Sequence, residues 1–138
     1  MIEANTMKKL RGIIIMFFIS LSLFGMTACN DGGNALTYEQ ITAKQAKSIM
    51  DTKTEYIIID ARTEQEFAEG HIEGAILIPE YEIKDRAEKE LPDKEALILV
   101  YCRSGRRSKI ASEELVKLGY TNVKEFGGII DWPYDVVK

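Results

Sequence analysis

An uncharged run rich in Ile, Phe and Leu covers residues 12–26, and from residue 38 the pattern changes. Short apolar runs then alternate with stretches of helical period. Residues 38–41 read as a short strand. Thr42 and Gln45 form a capping box, and Ala43, Ala46, Lys47, Ile49 and Met50 continue a helix to about Asp51. The β-branched run 56–60 is expected to be a strand covered on both faces. Thr63 and Glu66 form a second capping box, opening a short helix to about Glu69 that Gly70 stops. Residues 75–78 are a third strand, ended by Pro79. Residues 81–91 form a charged helix with Ile83, Ala87 and Leu91 on one stripe. Residues 97–101 are another buried strand. Residues 108–118 form a helix with Ala111, Leu115 and Leu118 on one face and Gly119 as its stop. A last strand at 123–126 leads into Gly127-Gly128 and a turn around Trp132-Pro133, with Trp132 in the core. This pattern predicts an α/β fold: an open, mostly parallel five-stranded sheet with helices on both faces. Ligands of such sheets bind beyond the carboxyl ends of the central strands, so the residues after each strand matter most.

Composition narrows the choice of function. A chain of 138 residues is the length of one globular domain. Two cysteines exclude a disulfide-dense scaffold or a four-cysteine zinc site, and one histidine excludes metal sites that need two or three. The net charge of −4, with no basic cluster beyond the first residues, argues against nucleic acid as a partner.

The apolar run explains the start of the chain. Lys8, Lys9 and Arg11 precede it, and it is shorter than the roughly 20 residues a membrane span needs, so residues 1–28 read as a signal peptide. Its end, Met26-Thr27-Ala28-Cys29, resembles the lipobox of bacterial lipoproteins, with Met26 where Leu is usual. That resemblance implies that Cys29 is lipidated and becomes the new N-terminus. Acyl chains contribute about 0.8 kcal/mol per buried CH2 and would hold the protein on a membrane. Residues 29–37 would be the lipidated cysteine and a flexible tether, reaching roughly 16 Å, and residues 38–138 the functional domain. Cleavage takes the net charge to −6, because three basic residues and one acidic residue leave with the leader. Such a surface has no pull toward anionic lipid, so anchoring falls to Cys29. The expected location is the cell envelope, outside the cytoplasm.

The chemistry concentrates after the strand at 97–101. Cys102, Arg103, Ser104, Gly105, Arg106, Arg107 and Ser108 lead straight into a helix. A helix start offers unpaired N–H groups and a favourable dipole to an anion, and Gly105 lets the loop curl so that several N–H groups point inward. Three arginines lie within five residues. A free cysteine titrates near about 8.5, and surroundings of this kind lower that to about 3.5–7.5. Cys102 is thus the candidate nucleophile.

These residues, with two other stretches, resemble the rhodanese family over nearly all of residues 38–138. Asp60-Ala61-Arg62 followed by Glu66-Phe67 resembles its strand-end D-x-R and its E-F pair. Gly70-His71-Ile72-Glu73-Gly74-Ala75 with Ile78-Pro79 resembles its G-H-I-x-G-A…I-P stretch. Residues 101–108, with Gly119-Tyr120 and Gly127-Gly128…Trp132 downstream, resemble its active-site loop and C-terminal signature. The resemblance implies a rhodanese-like fold and sulfur transfer, with no metal or organic cofactor. Cys102 would take the outer sulfur of a small anionic donor such as thiosulfate as a persulfide and pass it to a thiol, a protein acceptor or cyanide. The main-chain N–H groups of Arg103, Ser104, Gly105, Arg106 and Arg107 would surround that sulfur, with Arg103 and Arg107 attracting the donor. Asp60, Arg62, His71 and Ser108 are read as structural supports.

Loop length separates the nearest rival. Related cysteine phosphatases use C-x5-R, but the sixth residue after Cys102 is Ser108, and Arg107 gives the shorter C-x4-R. Two other readings use the same cysteine: a persulfide carrier with little turnover, and a redox domain needing a partner thiol, since Cys102 is the only other cysteine once Cys29 is acylated.

Overall fold

The computed structural model describes residues 37–138, all within one compact unit spanning Asn34–Lys138. The leader, Cys29 and all but the last residue of the tether lie outside the described residues. Five strands, β1 (Glu39–Gln40), β2 (Ile57–Asp60), β3 (Ala75–Leu77), β4 (Ile98–Cys102) and β5 (Val123–Gly128), make one sheet in the order β1-β5-β4-β2-β3. Every pairing is parallel. Four helices accompany them: α1 (Ala43–Thr52), α2 (Glu64–Glu69), α3 (Ile83–Glu90) and α4 (Arg106–Lys117). Among the described residues no helix is long and apolar enough to cross a membrane.

Both predicted capping boxes form. Thr42 accepts from the N–H of Gln45, and Thr63 from that of Glu66, while each N3 side chain bonds back to the cap N–H. The sheet has a core on each face because its central strands alternate. Ile98, Val100 and Cys102 of β4 pack with Ile83 and Ala87 of α3 and Ala111 and Leu115 of α4. Leu99 and Tyr101 pack with Ala46 of α1, Phe126 and Trp132. All five β4 residues are buried. This strand therefore contributes apolar area to both layers, at about 25 cal/mol per Å² removed from water.

Most boundaries lie within one residue of the sequence reading, and three are displaced by two. The helix expected from residue 81 starts as a 3-10 turn, Glu80–Glu82, because Pro79 sets φ at −51° and its carbonyl accepts the Glu82 N–H at 2.8 Å. The helix expected from Ser108 starts at Arg106, because Gly105 holds a left-handed φ of 99° and turns the chain directly into it. Strand β5 runs on to Gly128, through a register shift against β4 between Val100 and Cys102.

Candidate active site

The site lies at the carboxyl end of the central strand. Cys102 is the last residue of β4 and 1% exposed. Its Sγ accepts a hydrogen bond from the Gly105 N–H at 3.0 Å. The first intrahelical bond of α4 runs from the Lys109 N–H to the Gly105 carbonyl, at 3.4 Å. The N–H groups of Arg106 and Arg107 precede it and stay open at the helix start. A sulfur anion here faces backbone donors and the positive end of a twelve-residue helix.

The loop is held from behind. The Ile130 N–H donates to the Arg103 carbonyl at 3.3 Å. A Cβ on Gly128 would fall 2.1 Å from that carbonyl oxygen, so only glycine lets β5 come this close. Gly105 has a different requirement: space exists for a methyl group, but its φ suits glycine. Ser108 is fully buried, with Oγ 2.6 Å from a carboxyl oxygen of Glu125, 3.1 Å from the Gly105 carbonyl and 3.3 Å from that of Gly127.

The three arginines have different fates. Arg103 and Arg106 are exposed, as is Ser104. Arg107 is the one in an ion pair among the described residues: its two terminal nitrogens each donate to Glu66 at 2.7 Å. The Arg107 guanidinium, and after it the Thr63 cap, hold the Glu66 carboxyl down at about 2 against the opposing effect of burial. Glu66 in turn keeps Arg107 firmly charged, and the nearby Cys102 sulfur adds to this. Glu66 was read only as a capping residue and half of the E-F pair. Its second partner lies 41 positions away, beyond what local spacing shows.

Asp60 and Arg62 meet as a pair. Arg62 Nε and a terminal nitrogen bond the carboxylate at 2.7–3.0 Å, and that terminal nitrogen also reaches the Gly70 carbonyl at 2.7 Å. Burial pulls against the Arg62 charge, but the Asp60 bonds and charge outweigh it and hold the guanidinium above its ordinary range. The Tyr101 hydroxyl donates to Asp60 at 2.7 Å and accepts the Ile72 N–H at 3.1 Å. Burial, then the Asp60 charge, push this phenol well above its ordinary range, so it stays a neutral donor. The network spans the ends of β2 and β4 and the turn before β3. His71 lies in that turn. Its Nδ1 is 3.1 Å from the Phe67 carbonyl, its ring stacks on Phe67 at 3.7 Å, and its backbone forms a bridge with Val137. The sequence marks Tyr101 as a strand residue and the first of the stretch 101–108, but gives no sign of its bond to Asp60.

A cleft of about 500 Å³ lies elsewhere, lined by Met50, Tyr56, Ile72, Trp132 and Tyr134 among others, and no residue of the 102–108 loop borders it. The feature built for chemistry is the small bowl over Cys102. One buried sulfur, hydrogen-bonded by the Gly105 N–H and set at the start of α4, suits a nucleophile that gains and loses a single small atom or group.

Comparison with known proteins shows the family to which this fold belongs. Residues 42–133 match the rhodanese-like domain family. The Escherichia coli (strain K12) thiosulfate sulfurtransferase PspE is 41% identical over 80 residues, covering 58% of this chain and 77% of that protein. The solved structure of a rhodanese with anions from E. coli is 40% identical, with a TM-score of 0.57, over 60% of this chain and 98% of that one. A Staphylococcus saprophyticus structure is 28% identical, with a TM-score of 0.65, over 72% of this chain and 99% of that one. The family match runs from the cap of α1 past Trp132 and takes in every strand but β1, so this chain belongs to the rhodanese-like domain family.

Proposed function

We propose that the protein is a sulfurtransferase that moves a sulfane sulfur from a donor such as thiosulfate to a thiol or cyanide acceptor through a persulfide on Cys102. The carrying observation is the 3.0 Å bond from the Gly105 N–H to the Cys102 sulfur, inside a four-residue loop closed by Arg107 at a helix start. The Cys102 thiolate attacks the outer sulfur of thiosulfate. The S–S bond of the donor breaks, sulfite leaves with the electron pair, and Cys102 carries a persulfide. The acceptor thiolate or cyanide then attacks the outer sulfur, the new S–S bond breaks, and the Cys102 thiolate returns. The loop N–H groups would hold the anionic sulfur in both states, while exposed Arg103 and Arg106 draw in an anionic donor. The Glu66 pair leaves Arg107 better suited to fixing the loop than to binding donor.

Steady-state transfer from thiosulfate to cyanide tests this. Cys102→Ser should abolish turnover with the fold intact, and equal rates in variant and parent would refute the proposal. The near-complete burial of Cys102 also suits a carrier that keeps its sulfur until a partner removes it. A protein isolated with an adduct of about 32 Da on Cys102, one sulfur atom, and slow with thiosulfate would identify that role.

The leader and lipobox support a place at the cell envelope, anchored through lipid on Cys29. Cys29→Ser should move the protein out of the membrane fraction, and unchanged fractionation would remove the anchor from the proposal.

A further inference from the structure

Strand β5 carries a carboxyl where a covered strand ordinarily has an apolar side chain. Glu125 is 3% exposed, in a strand whose neighbours Val123 and Phe126 are core residues. Its carbonyl serves the sheet, accepting the Ile41 N–H at 2.8 Å. Its carboxyl does something else. One oxygen, Oε1, accepts from the Ser108 hydroxyl at 2.6 Å and from the Gly127 N–H at 2.8 Å. No cation shares this arrangement among the described residues: adjacent Lys124 pairs with Glu39, and Arg107 pairs with Glu66. Burying a carboxyl against neutral donors alone is unfavourable, and an apolar side chain of similar volume would pack between sheet and helix without that penalty. Sheet stability therefore does not explain the residue.

Its contacts do. Oε1 lies 4.0 Å from the point where a Cβ of Gly105 would sit. The Ser108 hydroxyl has one proton and its shortest contact is to Glu125, so the carboxyl sets where that hydroxyl sits. The same hydroxyl oxygen lies 3.1 Å from the Gly105 carbonyl. Gly127 leads into Gly128, the residue pressed against Arg103. One carboxyl thus joins the loop, the first turn of α4 and the end of β5, and these three make the wall behind the Cys102 sulfur.

We infer that Glu125 is a positioning residue: through Ser108 and Gly127 its carboxyl fixes the first turn of α4 and the end of β5 around Gly105, which holds that residue with its N–H pointing at the Cys102 sulfur. The inference rests on Cys102 being the sulfur-carrying residue. It deepens that reading by naming what aims the donor.

The test compares the full chain with Glu125→Leu, Glu125→Gln and Ser108→Ala. With thiosulfate and cyanide, Glu125→Leu should lose roughly tenfold or more in kcat per folded molecule, with a smaller change in KM. Glu125→Gln keeps an acceptor oxygen in place and should restore most of that loss. Where the Leu variant fails to fold, Ser108→Ala carries the test with a several-fold loss. Wild-type kcat in Glu125→Leu, or in Ser108→Ala where the Leu variant fails to fold, overturns the inference. Hydrogen exchange at the Gly105 N–H provides a readout that needs no turnover: its protection should fall about tenfold in Glu125→Leu and Ser108→Ala, and hold in Glu125→Gln. Unchanged protection overturns the positioning role. An inactive parent chain with this protection pattern overturns only the proposed sulfur transfer.

Discussion

Glu66 and Arg107 hold each other through two 2.7 Å hydrogen bonds that tie the first turn of α2 to the first turn of α4. The pair bridges the segment after β2 and the loop after β4, so one contact links two of the strand ends that surround the site. Because Arg107 is about four-fifths buried, this pair is screened less than a typical surface pair.

The pair gives the fold an acid-sensitive component. The Glu66 carboxyl is held at about 2, below its ordinary range, so its stabilisation is complete above about pH 4.5 and fades as pH falls toward 2. Glu66→Gln should lower stability near neutral pH by about 1–2 kcal/mol, allowing for partial screening. Denaturant unfolding across pH checks this: the gap between parent and variant should close toward pH 2. A gap of constant size would show that the ion pair is not its cause.

Gly128 sets how closely β5 backs the loop. A methyl group there would meet the Arg103 carbonyl at 2.1 Å, so the loop or the strand has to move by about an ångström. Gly128→Ala should reduce thiosulfate turnover about tenfold or more while the circular dichroism of the fold persists. Full activity in this variant would mean that the loop tolerates displacement.

Ser112, one turn beyond Ser108 on α4, is the one buried side-chain polar atom without a hydrogen-bond partner among the described residues. Removing its hydroxyl relieves an unmet desolvation penalty and raises helix propensity. Ser112→Ala should stabilise the domain by about 1 kcal/mol, a rise in Tm of roughly 4–8 °C. Thermal unfolding decides, and a lower Tm would reveal packing that the hydroxyl supports.

Most of the architecture was legible in local pattern. The β-branched run ending at Asp60 and the apolar run ending near Cys102 are buried strands, and Thr42 and Thr63 cap the helices that follow β1 and β2. The boundaries that moved depend on single backbone angles. Pro79 tightens a turn, and Gly105 starts α4 two residues early, so Arg106 and Arg107 lie in its first turn and not in the loop. The site was legible as a loop but not as an assembly. Cys102, Gly105 and the arginines are contiguous, whereas Glu66, Tyr101 and Glu125 reach them or their supports through tertiary contacts. No spacing rule shows that Glu66 takes up the charge of Arg107, or that a buried strand spends a carboxyl on Ser108.

The close seating of Gly128 on Arg103 also limits how the loop can change in length. One more residue between Cys102 and Arg107 is the increment that would widen the ring for a tetrahedral oxyanion. The added backbone could not bulge inward, where the sheet already abuts the Arg103 carbonyl, and would have to spill into solvent or prise β5 from its neighbour. Lengthening the ring on this scaffold therefore has to proceed on its solvent side, where Arg103 and Ser104 are exposed, with the end of β5 left in place.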